Sequence, residues 1–440
     1  MKTLFQSVRR RMRNQLNNVC KGLKPLLLLV FHNPNLKVGA IATPFRAWIQ
    51  IPKLRLGFNP IPQSVLAIFE AGSLPVMVVV VFTWSGVTFS QEARQSPPAV
   101  ELAGSQLLTI SSSVVGRDYN LYIQLPRHYE DTTRSFPVVY VLDAQWDFPL
   151  VYSIYGSQYY DGFVPGLIIV GITWGGPNPK YDSLRAADLT PTNAKQVPQS
   201  GNAPNFFAFI KTELIPFIES KFRTKKDDRT LMGSSYGGLF TLYALFQEAS
   251  PFNRYVLTSP AVGFDNEVIY SFEKQYGEKR SSVPVRLFMA QGELEGGMQG
   301  FEKLVDRLKS RAYEGLKLQT RVLENIGHSG SKAEGYTRGL QWVFERPSLA
   351  LDPATLKQYE GAYEISPGQR ARVFVENGLL FARGPDNQVA ALHAEGNDRF
   401  YAKGFYMNLR FKRDTAGTVA SLEVETYNGS MSLKKVNDGL

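Results

Sequence analysis

The stretch RTLMGSSYGGLFTLYALFQEA, residues 229–249, narrows most sharply what this chain can fold into. A short strand-like run ends at Gly233, and after Ser234-Ser235-Tyr236-Gly237-Gly238 a helix-like run begins at once. A serine in such a turn is held with its hydroxyl exposed, and the flanking glycines let strand and helix pass without a Cβ clash. A Gly-x-Ser-x-Gly pattern alone is weak evidence. The strand before it and the helix after it give it weight. Ser235 is the central serine and Ser234 occupies a variable position. The inert reading is a glycine-rich helix start with no chemistry.

The surrounding chain supports an α/β fold. LLTISSSVVGRDYNLYIQLP reads as two strands forming a hairpin around Gly116-Arg117-Asp118. Strand patterns follow at 137–143, 166–174, 229–233, 254–262, 285–292 and 316–324. Between them Phe207, Ile210, Leu214, Ile218 and Phe222 recur at helical spacing, as do Met298, Phe301, Val305 and Leu308. Strands alternating with amphipathic helices imply a mostly parallel sheet covered on both faces.

Composition excludes several function classes. The chain has 440 residues, long enough for two domains, and a formal charge of +10. Eleven of its 49 Lys and Arg fall in residues 1–69, which hold no acid, leaving 38 basic against 39 acidic residues from Glu70 onward. The body is neutral and offers no basic face for nucleic acid. The one cysteine, Cys20, lies in the leader, so the folded part has no disulfide, thiolate metal site or thiol nucleophile. The expectation is chemistry without metal or cofactor.

Residues 1–73 form a basic leader without sustained periodicity, expected to stand outside the fold. Residues 74–95 contain LPVMVVVVFTWSGVTFSQEA, an apolar run of export-signal length followed by small and polar residues. Export to a periplasmic or secreted location is the expectation, with a retained membrane anchor as the rival. The leader in front is unusual for an export signal. Translation starting near Met77 and an Arg-rich transit peptide are competing accounts, and oligomeric state is not readable.

A serine nucleophile needs a base and a group to orient that base. Of four histidines, His32 is in the leader, His128 precedes the serine, and His393 lies in a later all-strand region. His328, in VLENIGHSGS, follows the last strand of the α/β part and is the candidate base. The acid is expected after the strand VRLFMAQG, where Glu293 and Glu295 both stand; Glu295 is the choice and Glu293 the alternative. Backbone N–H groups of Tyr236 and, from the loop after VVYVLD, Gln145 are the candidate oxyanion donors. Trp146 and Phe148 could wall an apolar substrate pocket or pack in the core.

YVLDAQWDF, RAADLTPT, LMGSSYGGLF, QGELEGGM and GHSG, in that order, resemble the esterase D type of α/β hydrolase, which includes enterobactin and salmochelin esterases. The resemblance covers about residues 105–345. It implies an α/β-hydrolase fold over 96–348, a Ser235, Glu295 and His328 triad, and no metal or organic cofactor. It also points to Arg185 and Asp188, in LRAADLTPT, as substrate-side residues, although an Arg with a nearby Asp is more often a loop-fixing ion pair. The chain departs from its relatives at Ala144, where they commonly have glycine.

Residues 349–440 show short alternating strands separated by turns such as Glu376-Asn377-Gly378, the pattern of a small antiparallel barrel or sandwich. YEGAYE, GNDRFY and LRFKRDTAGTVASL resemble lipocalin-like tail domains behind some serine hydrolases. Support or substrate-side binding, without catalysis, is expected of this unit. The functional expectation is an exported serine carboxylesterase acting on a small-molecule ester. A siderophore trilactone esterase and a non-catalytic binding protein are the alternatives.

Overall fold

The computed structural model describes residues 100–437. The leader and the apolar segment 74–95 lie outside them. Among the described residues, no helix is long and apolar enough to cross a membrane.

Eight strands form one sheet: β1 (Ser105–Ser112), β2 (Arg117–Gln124), β3 (Phe136–Val141), β4 (Ile168–Trp174), β5 (Thr224–Ser234), β6 (Arg254–Thr258), β7 (Arg286–Gly292) and β8 (Lys317–Leu323). Their order is β1-β2-β4-β3-β5-β6-β7-β8. The expected hairpin is present, with Ser112 opposite Arg117. β2 runs antiparallel to β4, and from β4 onward every pair is parallel. In β3 every residue is buried. Val138 and Tyr140 enter the core on one face, Val139 and Val141 the core on the other, which is why a buried parallel strand reads as a continuous apolar run.

Helices cover both faces: α1 (Ala144–Tyr160), α2 (Tyr181–Asp188), α3 (Tyr236–Leu245), α4 (Met298–Arg311) and α5 (Ser331–Val343), with a further helical stretch over 203–221. Each strand of the parallel part hands the chain to a loop at its C-terminal end. Those loops carry Ser235, Glu295 and His328, and the one after β3 leads straight into Gln145 in the first turn of α1.

The second unit is a closed antiparallel barrel of β9 (Gly361–Ser366), β10 (Gln369–Glu376), β11 (Leu379–Arg383), β12 (Val389–Gly396), β13 (Arg399–Ala402), β14 (Met407–Arg413), β15 (Val419–Thr426) and β16 (Gly429–Val436), with β16 pairing back onto β9. Its interior is packed. Tyr359, Phe400 and Phe411 bury their rings against one another, the Tyr359 and Phe411 centroids 4.5 Å apart, so the barrel encloses a core and not a ligand chamber.

The barrel docks on the N-terminal edge of the parallel strands. Arg134, just before β3, forks onto Glu425, and Arg346, just after α5, forks onto Glu395 and donates to Asn408 at 2.6 Å. The Tyr406 amide donates to the carbonyl of Tyr160 at the end of α1. Gly162 makes the approach possible: a Cβ there would lie 2.6 Å from the Phe405 carbonyl oxygen. This corrects the substrate-side expectation for the tail unit, because the Ser235 turn lies at the C-terminal end of β5, the opposite edge of the sheet. A cleft of about 1340 Å³ lies at this junction, and its carboxylates are engaged in ion pairs. Its size therefore does not make it the reactive site.

Burial alone would raise the Glu395 and Glu425 carboxyls, but hydrogen bonds and charge from Arg346 and Arg134 hold both below the ordinary glutamate value of 4.5. A carboxyl titrating lower in the fold than in the unfolded chain stabilises fully above 4.5 and loses that contribution as pH falls through its folded value. Thermal unfolding followed from pH 7 to pH 3 is therefore expected to show stability declining in acid. The Arg134→Ala, Arg346→Ala double variant is expected to unfold at lower temperature at pH 7, by roughly 1–2 kcal/mol because the pairs are partly solvated.

Candidate active site

β5 ends in the turn that the sequence singles out. Ser235 has φ 59° and ψ −118°, outside the regions where a serine rests without strain, and α3 starts at the next residue. Gly233 explains how the turn closes, since a Cβ there would meet the Gly237 backbone at 2.6 Å. The Ser235 amide donates to the Thr258 carbonyl, and the Ser235 carbonyl accepts from Ala261, which ties the turn to the end of β6. Ser234 is different: it is buried, and its hydroxyl makes no hydrogen bond.

His328 lies in the loop between β8 and α5, and its Nδ1 is 2.7 Å from Glu295 Oε2. A carboxylate only accepts, so Nδ1 carries the proton and Nε2 is left as the basic nitrogen. The Glu295 side chain is 4% exposed and that of His328 is 53% exposed, so the acid is sheltered while the imidazole reaches solvent. Glu293 turns elsewhere and accepts from the Asn325 amide. Of the two carboxylates left open by the sequence, the structure brings Glu295 to the imidazole.

The loop after β3 begins with Asp143 in the left-handed region, φ 51°, and leads into α1. Gln145 stands in the first turn of α1 and Tyr236 in the first turn of α3, where a helix leaves its N–H groups without intrahelical acceptors. Two helix N-termini thus supply free amides beside the serine turn. The Gln145 side chain is fixed by a hydrogen bond from Thr173. Asp147, buried in the first turn of α1, accepts from Lys332 Nζ at 2.6 Å and from the Tyr336 hydroxyl at 2.7 Å, which joins α1 to α5. Phe148 is core, packed in the cluster beneath α1.

Arg185 does not pair with Asp188. Its guanidinium forks onto Asp143, at 3.0 and 2.8 Å, and stands 5.7 Å from the Trp146 ring centroid and 5.2 Å from that of Tyr236. Both loops that carry free amides are thereby joined to one side chain. Asp188 is fully buried and accepts from Tyr119, Trp174 and Asn202, with Arg117 close by. The substrate-side expectation for Asp188 is corrected: it is an interior anchor whose acceptor sites are taken. Trp146 is 48% exposed and sits edge-on to Tyr181.

A cleft of about 550 Å³ opens beside His328, walled by Val197, Tyr236, Ala261, Val262 and Phe264. Among its described lining residues there is no Lys or Arg, while Asp265 and Glu295 supply carboxylates. The other histidines among the described residues stand apart. His128 contacts Asp131 and the Tyr427 carbonyl at the barrel junction, and His393 lies against Ser348 on β12. Among the described residues no group of acids, histidines or cysteines is arranged to hold a metal.

The family profile described as "Putative esterase" matches residues 112–287. The chain is 27% identical over 276 residues to the ferri-bacillibactin esterase BesA of Bacillus subtilis, covering 58% of this chain and 94% of that one. It is 29% identical over 190 residues to the siderophore triacetylfusarinine C esterase of Aspergillus fumigatus, covering 42% and 65% respectively. Among solved structures it is similar to the BES protein of Bacillus cereus, with 26% identity, a TM-score of 0.52, and coverage of 57% of this chain and 98% of that one.

The close passage at Gly233 generates a prediction. Gly233→Ala is expected to lower stability by about 1–3 kcal/mol, since the new methyl meets backbone that cannot rotate away. Thermal unfolding of the variant beside wild type measures it.

Proposed function

We propose that the chain, an ester-hydrolysing serine hydrolase whose residues 112–287 match the putative-esterase profile, works through a Ser235, His328 and Glu295 triad. The observation that carries this reading is the 2.7 Å contact between His328 Nδ1 and Glu295 Oε2, at the strand ends next to the strained Ser235 turn. Ser235 Oγ attacks the ester carbonyl carbon as His328 Nε2 takes its proton. Glu295 keeps the imidazole in the right tautomer and stabilises the imidazolium. The Tyr236 and Gln145 amides receive the developing oxyanion. Collapse expels the alcohol, which takes the proton from His328, and water then releases the acyl group by the same steps in reverse order.

The substrate we favour is an uncharged carboxylic ester. The cleft beside His328 has apolar walls and carboxylates but no described cation, and Arg185 is committed to Asp143. The relatives, two of them siderophore esterases by name, favour a second reading, a siderophore lactone. Within that reading, charge favours a neutral lactone over an iron-charged catecholate polyanion, which would face Asp265 and Glu295 without a counter-cation. Trp146 supplies an exposed aromatic wall on the oxyanion side. Export directed by residues 74–95 belongs to the same proposal, and N-terminal sequencing of the mature protein tests it.

Ser235→Ala is expected to lower kcat for a short-chain ester at least about a thousandfold, and Glu295→Gln about a hundredfold, with Glu293→Gln unchanged. Retained activity in Ser235→Ala would end the proposal, and equal losses at Glu293 and Glu295 would end the choice of acid. A neutral ester is expected to exceed an anionic ester of equal size about tenfold in kcat/KM. The opposite preference would favour the polyanionic lactone.

A further inference from the structure

Ser259 follows β6, and nothing in its local sequence marks it as part of a site. It is 2% exposed and has φ 45°, a left-handed conformation that costs a non-glycine residue stability. Its Oγ lies 2.5 Å from Glu295 Oε1 and 2.6 Å from Ser331 Oγ, and Ser331 Oγ lies 2.7 Å from the His328 carbonyl oxygen. The Gly292 amide is the second donor to Oε1, at 2.8 Å. Oε2 receives His328, with the Gln291 amide nitrogen at 3.3 Å.

Counting protons orders this cluster. Three oxygen–oxygen contacts share two hydroxyl protons, and both ends, a carboxylate and a carbonyl, only accept. An ionised Glu295 draws the Ser259 proton to Oε1, and Ser331 donates its own proton to the His328 carbonyl. With Oε1 occupied by Ser259 and Gly292, the oxygen left for the imidazole is Oε2. Glutamate has one more rotatable bond than aspartate, so a carboxylate at the end of this side chain needs such a hold to present one fixed oxygen.

We propose that Ser259, backed by Ser331, is a positioning residue that fixes the Glu295 carboxylate for its contact with His328. The proposal rests on the triad reading above and goes beyond it. In this left-handed conformation the Ser259 hydroxyl lies against Oε1. Ser331, the first residue of α5, ties the same hydroxyl pair to the backbone of the histidine loop.

Ser259→Gly separates a functional role from a structural one. Glycine adopts φ 45° without penalty, so the variant is expected to unfold at the same or a higher temperature. Its kcat on a short-chain ester is expected to fall about ten- to a hundredfold, as for loss of a hydrogen bond to a charged group, with KM little changed. Fluorophosphonate labelling of Ser235 is expected to slow by a similar factor. Ser259→Ala, which keeps the Cβ, is expected to match it in kcat. Ser331→Ala is expected to lose less, and to add little when combined with Ser259→Gly, because both act through one contact.

Wild-type kcat in a folded Ser259→Gly, a loss confined to KM, or losses at Ser259 and Ser331 that multiply would each overturn the proposal. Ser235→Ala assayed in parallel keeps the two levels apart. An inactive Ser235→Ala beside a fully active Ser259→Gly defeats this inference alone, while an active Ser235→Ala defeats the triad reading beneath it.

Discussion

Gly233 passes so close to the Gly237 backbone that a Cβ on it would not fit, and the position of Ser235 depends on that passage. A strand buried on both faces must give way to a helix within one residue, and only glycine lets the two backbones approach closely enough. The serine between them is forced out of the common backbone regions. Strain of this kind persists where the surroundings over-determine it. Here the Thr258 and Ala261 hydrogen bonds on one side and the buried start of α3 on the other supply that constraint.

The remaining site follows from neighbouring strands ending at the same edge. β3 delivers the Asp143 loop, β5 the serine turn, β6 Ser259, β7 Glu295 and β8 His328. Buried ion pairs join the loops in twos: Asp143 to Arg185, and Asp147 to Lys332. A buried pair of this kind fixes geometry more surely than it adds stability. The barrel, held by Arg134 and Arg346 at the other edge, leaves this end of the sheet open. The edge that carries Ser235, Glu295 and His328 and the edge where the barrel docks are thus kept apart by the length of the parallel strands.

Much of the fold was legible because buried parallel strands and amphipathic helices leave strong periods. The parallel strands and the hairpin lie where apolar runs predict them, and several predicted strands run past the observed ends into the site loops. Period says less about side-chain reach. Glu293 and Glu295 stand two residues apart on one loop, and only the folded loop shows one turned to Asn325 and the other to His328. Arg185 and Asp188 looked like a pair because they are close in sequence. The partners of Asp188 include Tyr119, 69 residues away, so local spacing misleads. Ser259 left no signal, since its role comes from contacts with residues 36 and 72 positions away. The barrel was readable as a β unit, but nothing in its strands announced which edge of the sheet it would meet.

The central claim is that the strained turn holds an activated nucleophile and not an inert helix start. Labelling the full chain with a fluorophosphonate probe, followed by peptide mapping beside His328→Ala, tests it most directly. The account predicts attachment at Ser235 that falls sharply in the variant. Absence of labelling in folded protein, or labelling indifferent to His328, would contradict it and leave the turn as architecture alone.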